Sequence, residues 1–171
     1  NTLARGGRSA RYGRSRIIEV LRRFELWDET LKLADTPYLD PTTKKEEQLN
    51  RLRLLGHAHF GKESLDRVQA IEKEIAGLLS TAEEARKKAE NEAREKAGKE
   101  KKNEKETKKM VEEAGKKPGE WVKNVEKARN SMRCFIALLE DDKETARKHI
   151  GSVHGDKFTL ARLHLQAGDD E

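Results

Sequence analysis

Two stripes of apolar residues run toward each other through the middle of the chain. Val68, Ile71, Ile75, Leu78, Ala82, Ala85 and Ala89 recur at alternating steps of three and four residues. Ala114, Pro118, Trp121, Val125, Ala128, Met132 and Phe135 repeat those steps in reverse order. This spacing places one narrow apolar edge on each helix, as at a coiled-coil seam. Pairing the stripes from the outside inward, Val68 with Phe135 and so on to Ala89 with Ala114, keeps the sum of the two residue numbers constant. Helices that run in opposite directions conserve that sum, so the pattern predicts an antiparallel helical hairpin folded near residues 101–102. In this pairing the small Ala82 faces the large Trp121, which fills the space between helices without a void.

The tip is expected between Gly98, a helix stop signal, and Asn103, a start signal with Glu106 three residues on. The return arm carries Gly115, Pro118 and Gly119 close together. A proline inside a helix removes a hydrogen bond and clashes with the preceding turn, so a break or kink is expected there, with a firm helix from about Pro118 to Leu139. Between Ser80 and Lys117, 13 Lys or Arg and 10 Glu share 38 residues. The hairpin is therefore highly charged outside its seam. Across the chain, 40% of residues are charged and 34% hydrophobic, with three prolines. Such a balance supports a thin core along stacked helices better than a compact sheet domain.

Outside the hairpin, a helical pattern four times runs into a short polar turn. The clearest instance is Leu55-Gly56-His57-Ala58-His59-Phe60-Gly61-Lys62-Glu63-Ser64-Leu65-Asp66-Arg67-Val68. The others are Leu21 to Thr30, with Trp27 after the turn, Phe135 to Ala146, and Leu160 to Asp169. These segments resemble the tetratricopeptide repeat. The resemblance implies that the Leu55-Gly56 pair lets two helices approach closely, with Cys134 in the glycine position of the third copy. It also implies that Thr30, Val68 and Ala146 fill the gap on each second helix. Thr30 to Val68 spans 38 residues, near the repeat length of about 34, whereas Val68 to Ala146 spans 78 and holds the hairpin as an insertion.

The expected architecture is all-α: a tetratricopeptide-like array of three to four degenerate helix pairs with a long antiparallel hairpin. Its expected divisions are a basic arm over 1–14, repeats 1 and 2 over 15–79, the charged hairpin over 80–120, and repeats 3 and 4 over 121–171. The chain opens on Asn1 and closes just after a turn signal, which points to a piece of a longer protein.

Catalytic motifs do not emerge. No phosphate-cradling glycine loop, nucleophile elbow, paired cysteines or His-Glu-x-x-His stretch occurs, so no enzyme activity, metal or cofactor is expected. His57 and His59 are two apart and point about 200° apart on a helix, which disfavours joint metal ligation. The single cysteine, Cys134, reads as a small packed residue and leaves the redox compartment open. Trp27 and Trp121 are expected in the interior. No apolar run approaches the roughly 20 residues needed to span a bilayer.

What remains is surface. The resemblance implies a concave face made from first helices, carrying Arg16, Glu19, Arg23, Asn50, Arg53, His57 and Arg162. A mostly cationic face suits an acidic peptide or a terminal carboxylate through charge-assisted hydrogen bonds. The expected role is thus a non-catalytic scaffold that binds a protein or peptide partner. Two alternatives stand beside it. Residues 1–23 hold seven arginines against the single acid Glu19, which would attract nucleic acid; the hairpin could instead drive self-association.

Overall fold

The structure, a computed structural model, describes residues 8–169, with side chains from Tyr12 onward. Seven helices run in order among them: α1 (Arg8–Arg23), α2 (Trp27–Leu33), α3 (Lys45–Gly61), α4 (Leu65–Lys99), α5 (Glu104–Leu139), α6 (Lys143–Ile150) and α7 (Lys157–Gln166). No strand occurs among the described residues. Residues 1–7 of the expected basic arm lie outside the described residues, and from Arg8 onward the segment is already α1. No helix of the described residues is long and apolar enough to cross a membrane.

One geometry recurs at five helix ends. Glu25, Glu63, Lys101, Asp141 and Gly168 all have positive φ, between 51° and 70°. After each, the next residue's N–H reaches back five positions: Leu26 to the Leu21 carbonyl, Ser64 to His59, Lys102 to Ala97, Asp142 to Ala137 and Asp169 to His164, at 2.8–3.0 Å. The positive-φ residue itself donates to the carbonyl three back, as Glu63 does to Phe60 at 2.9 Å. This is a left-handed C-cap with two backward bonds, which satisfies carbonyls that the helix end would leave orphaned. Glycine usually takes that position because a side chain costs about 1 kcal/mol there. Here only Gly168 is a glycine.

Five residues after three of these turns stand Thr30, Val68 and Ala146, each fully buried. Thr30 hides its hydroxyl by donating to the Leu26 carbonyl at 2.8 Å. Asp142 accepts from the Thr145 N–H, and Asp156 from the Thr159 N–H, which starts α6 and α7 in the expected way for an N-cap aspartate.

The chain divides into two compact units, one of residues 1–73 with 128–171 and one of residues 74–127. In the first, α1 packs on α2 and α3, α2 on α3, and α6 on α7. Leu21, Leu39 and Leu54 form a buried cluster joined by Ile17, Ile18 and Leu33. Gly56 is buried, and a side chain there would run into the Met132 thioether of α5. Cys134, also fully buried, points its thiol at the Ala146 carbonyl, 3.6 Å away. Arg129 and Arg133 both reach Glu72, at 2.6 and 3.4 Å. Trp27 is half-buried, not interior, and lies against Gly61.

In the second unit, Asn103 opens α5 with a reciprocal cap. The Glu106 N–H donates to the Asn103 side chain at 2.9 Å, and the Asn103 N–H to the Glu106 carboxylate at 3.2 Å. Three expectations need correction. The left-handed residue of the turn is Lys101, not Gly98. Helix α5 continues through Pro118 without the expected break. The apolar stripe holds as far as Ala82, with Leu79 more buried than Leu78, but Ala85 is exposed and the buried positions shift to Ala93 and Ala97. The cause lies on α5. Gly115 and Gly119 are buried, and the side chains of Glu90 and Arg86 lie over them, filling the space that their missing side chains leave. Arg86 and Glu90 hold each other at 2.8 Å, one helical turn apart. Trp121 is half-buried.

A candidate anion-binding cleft

The first unit contains a cavity of about 400 Å³ lined from α1 by Ser15, Ile18, Glu19 and Arg22, and from α3 by Asn50, Arg53, Leu54 and His57. Ser131 and Met132 of α5 and His154 of the α6–α7 connection complete it. A second cavity of about 610 Å³ shares Glu19, Arg22, His57 and His154 and extends along Arg23, Lys157 and Phe158. His57 is common to both. It sits there because Asn50, Arg53, Leu54 and His57 recur at helical spacing on one face of α3, while Leu49, Leu52 and Leu55 are buried.

Aromatic rings fix the histidine. His57 stands edge-on to Trp27 at 6.2 Å and tilted against Phe135 at 4.7 Å, and Phe60 stacks on Phe135 at 4.5 Å. The side chain is 9% exposed. Burial pushes its pKa down to about 4, and the positive charges of Arg22, His154 and Arg162 push the same way. The imidazole is therefore neutral at pH 7. Burial also lowers Arg53, followed by the charge of Arg22. Both residues thus feel a positive field.

The acids nearby are engaged elsewhere. Glu19 accepts from Arg16 at 2.6 Å, Glu25 takes both arms of Arg162 at 2.6 and 2.8 Å, and Asp156 caps α7. Of the seven residues expected on a binding face, Glu19, Asn50, Arg53 and His57 line the first cavity, and Arg23 the second. Arg162 lines neither of them but two neighbouring hollows beside Trp27 and Gly61, of about 20 and 600 Å³. Arg16 lines none of these cavities and points instead to Glu19. Arg22, Ser131 and His154 were not foreseen. Arg22 could have been found by continuing the face of Ser15, Ile18 and Glu19 along α1.

Other groups bear on competing chemistry. Among the described residues no group of His, Cys, Asp and Glu is placed to hold a metal ion. Burial raises the Cys134 thiol to about 12, which leaves it protonated and unreactive at neutral pH. Arg14, part of the expected basic arm, donates to the Tyr38 carbonyl at 3.1 Å and lies 3.7 and 3.8 Å from Asp40 and Glu47.

No family model matches the chain, and neither a curated protein nor a solved structure matches it.

Proposed function

We propose that the chain is a helical-repeat interaction scaffold of tetratricopeptide type, whose cleft around His57 binds an acidic segment of a partner protein. The observation that carries this reading is the convergence of Arg22, Arg53, His57 and His154 on one cavity while Glu19, Glu25 and Asp156 are held by other groups. A peptide carboxylate would meet charge-assisted donors there in a partly dry setting. Exposed Phe158, at the margin of the second cavity, offers an apolar neighbour for the same peptide.

The repeat assignment draws on the recurring left-handed caps and on the fully buried Thr30, Val68 and Ala146 at equal distance from their turns. Residues 74–127 are read as an antiparallel helical hairpin inserted between repeats, serving as a spacer or second docking surface. The cap at Asn103 and the contacts of Gly115 with Glu90 and of Gly119 with Arg86 support that reading. A nucleic-acid role through the amino-terminal arginines has less to draw on, since Arg14 and Arg16 already have acidic neighbours.

The test is charge reversal in the cleft. A fluorescent peptide of alternating Asp and Glu should bind the full chain, and Arg22→Glu with Arg53→Glu should weaken it by roughly tenfold or more, as loss of charged donors does. Unchanged affinity in the double variant, with the helical content preserved, would remove the cleft as the binding face.

A further inference from the structure

The cleft has an unusual floor. His57 is a polar group more than nine-tenths buried, set against Trp27 and Phe135, and it lines both cavities. Burying a polar imidazole costs stability unless a partner or water satisfies it. Phenylalanine or leucine would pack the same space without that cost. We propose that His57 is the inner contact of the peptide site: a carboxylate of the bound acidic segment reaches its imidazole, and the ring takes up one proton from solvent as the contact forms.

The surroundings set the direction of this coupling. The charged and titratable groups around His57 are Glu19, Arg22 and Arg23 of α1, Glu25 of the α1–α2 turn, Arg53 of α3, His154 and Asp156 of the α6–α7 connection, and Lys157 and Arg162 of α7. From α5 it meets Ser131, Met132 and Phe135, none of which carries charge. In the free protein the nearby cations oppose a second charge on the ring. A bound carboxylate reverses that balance, because an opposite charge at contact distance favours the imidazolium. Binding then stabilises the protonated ring, and affinity must rise as pH falls, by linkage. Peptide carboxylates stay ionised above about pH 5, so they do not cancel the trend.

The inference rests on the cleft reading above, and one set of measurements separates the two. An acetylated and amidated hexapeptide of alternating Asp and Glu is titrated into the full chain at about pH 6 and about pH 7.5, with imidazole nitrogen shifts followed by NMR. At saturation at about pH 6 the His57 ring should move from the neutral to the imidazolium shift, and affinity should be roughly fivefold higher than at about pH 7.5. His57→Gln should bind with much of that pH dependence lost, whereas His154→Gln should keep it. If the peptide binds but the wild-type His57 ring stays neutral at saturation, or if His57→Gln retains the full pH dependence, the proton-linked contact is wrong and the cleft stands. Absence of binding at either pH removes both.

Discussion

In the first unit large side chains are fully buried in number, among them Phe135, Leu39, Leu49, Leu52, Leu54, Met132 and Leu163. In the second unit Ile75, Leu79 and Val125 give way to Ala82, Ala93 and Ala97, with Gly115 beneath the carboxylate end of Glu90 and Gly119 beneath the guanidinium of Arg86. The difference separates two ways of holding helices. Large residues remove much apolar area from water, at about 25 cal/mol per Å², and can enclose a cleft between helices that stand apart. Alanine and glycine bury little area, so helices that rely on them must contribute length, caps and charge pairs along their exposed faces. The candidate cleft lies where the side chains are large.

The contrast can be broken from either side. Phe135→Ala removes a ring packed on both His57 and Phe60 and should cost the first unit about 3–5 kcal/mol. The chain's two tryptophans, Trp27 and Trp121, fall one in each unit, so denaturation of single-tryptophan variants can follow each unit by fluorescence. The Trp27 midpoint should fall sharply in Phe135→Ala.

Acid offers a second probe of the first unit. His57 titrates at about 4 when folded and near 6.5 when unfolded, so the unfolded chain binds the extra proton between those values. Stability from this group is fully present above pH 6.5 and lost as pH falls toward 4, on the order of 3 kcal/mol in all. A Trp27-monitored stability profile should show that loss, and His57→Phe should flatten it.

Glycine substitutions should then have opposite signs. Gly61→Ala would push a methyl group into the rigid Trp27 ring and should cost about 1–3 kcal/mol. Gly77, in the second unit, is exposed within α4 and has open space where a side chain would go. Gly77→Ala should therefore stabilise by about 0.5–1 kcal/mol through helix propensity alone, raising the Trp121 midpoint.

The helices and turns were legible in the sequence because polar turn residues interrupt 3.6-residue periodicity at each of them. The identity of the cap residue was not, since Glu25, Glu63, Lys101 and Asp141 take a conformation that sequence rules reserve for glycine. The stripe was legible only where it was built from Val, Ile and Leu. Past Ala82, alanine at many positions leaves the seam undetermined, and Gly115 and Gly119 draw Glu90 and Arg86 into contact. On α3 the resemblance set Asn50, Arg53 and His57 on one face, and all three line the first cavity opposite the buried Leu49, Leu52 and Leu55. On α1 it named Arg16 and Arg23 and passed over Arg22, which lines both cavities. His154 comes from a connection, where no periodicity exists to find it.

The central claim is that an acidic peptide docks in the cleft of the first unit and not along the long helices of the second. Amide chemical-shift mapping of the full chain, with the Asp-Glu hexapeptide added stepwise, tests it directly. The account predicts the largest changes at Arg22, Asn50, Arg53, His57 and His154, with Ala82 through Ala114 unmoved. Changes confined to Ala82 through Ala114 would contradict it.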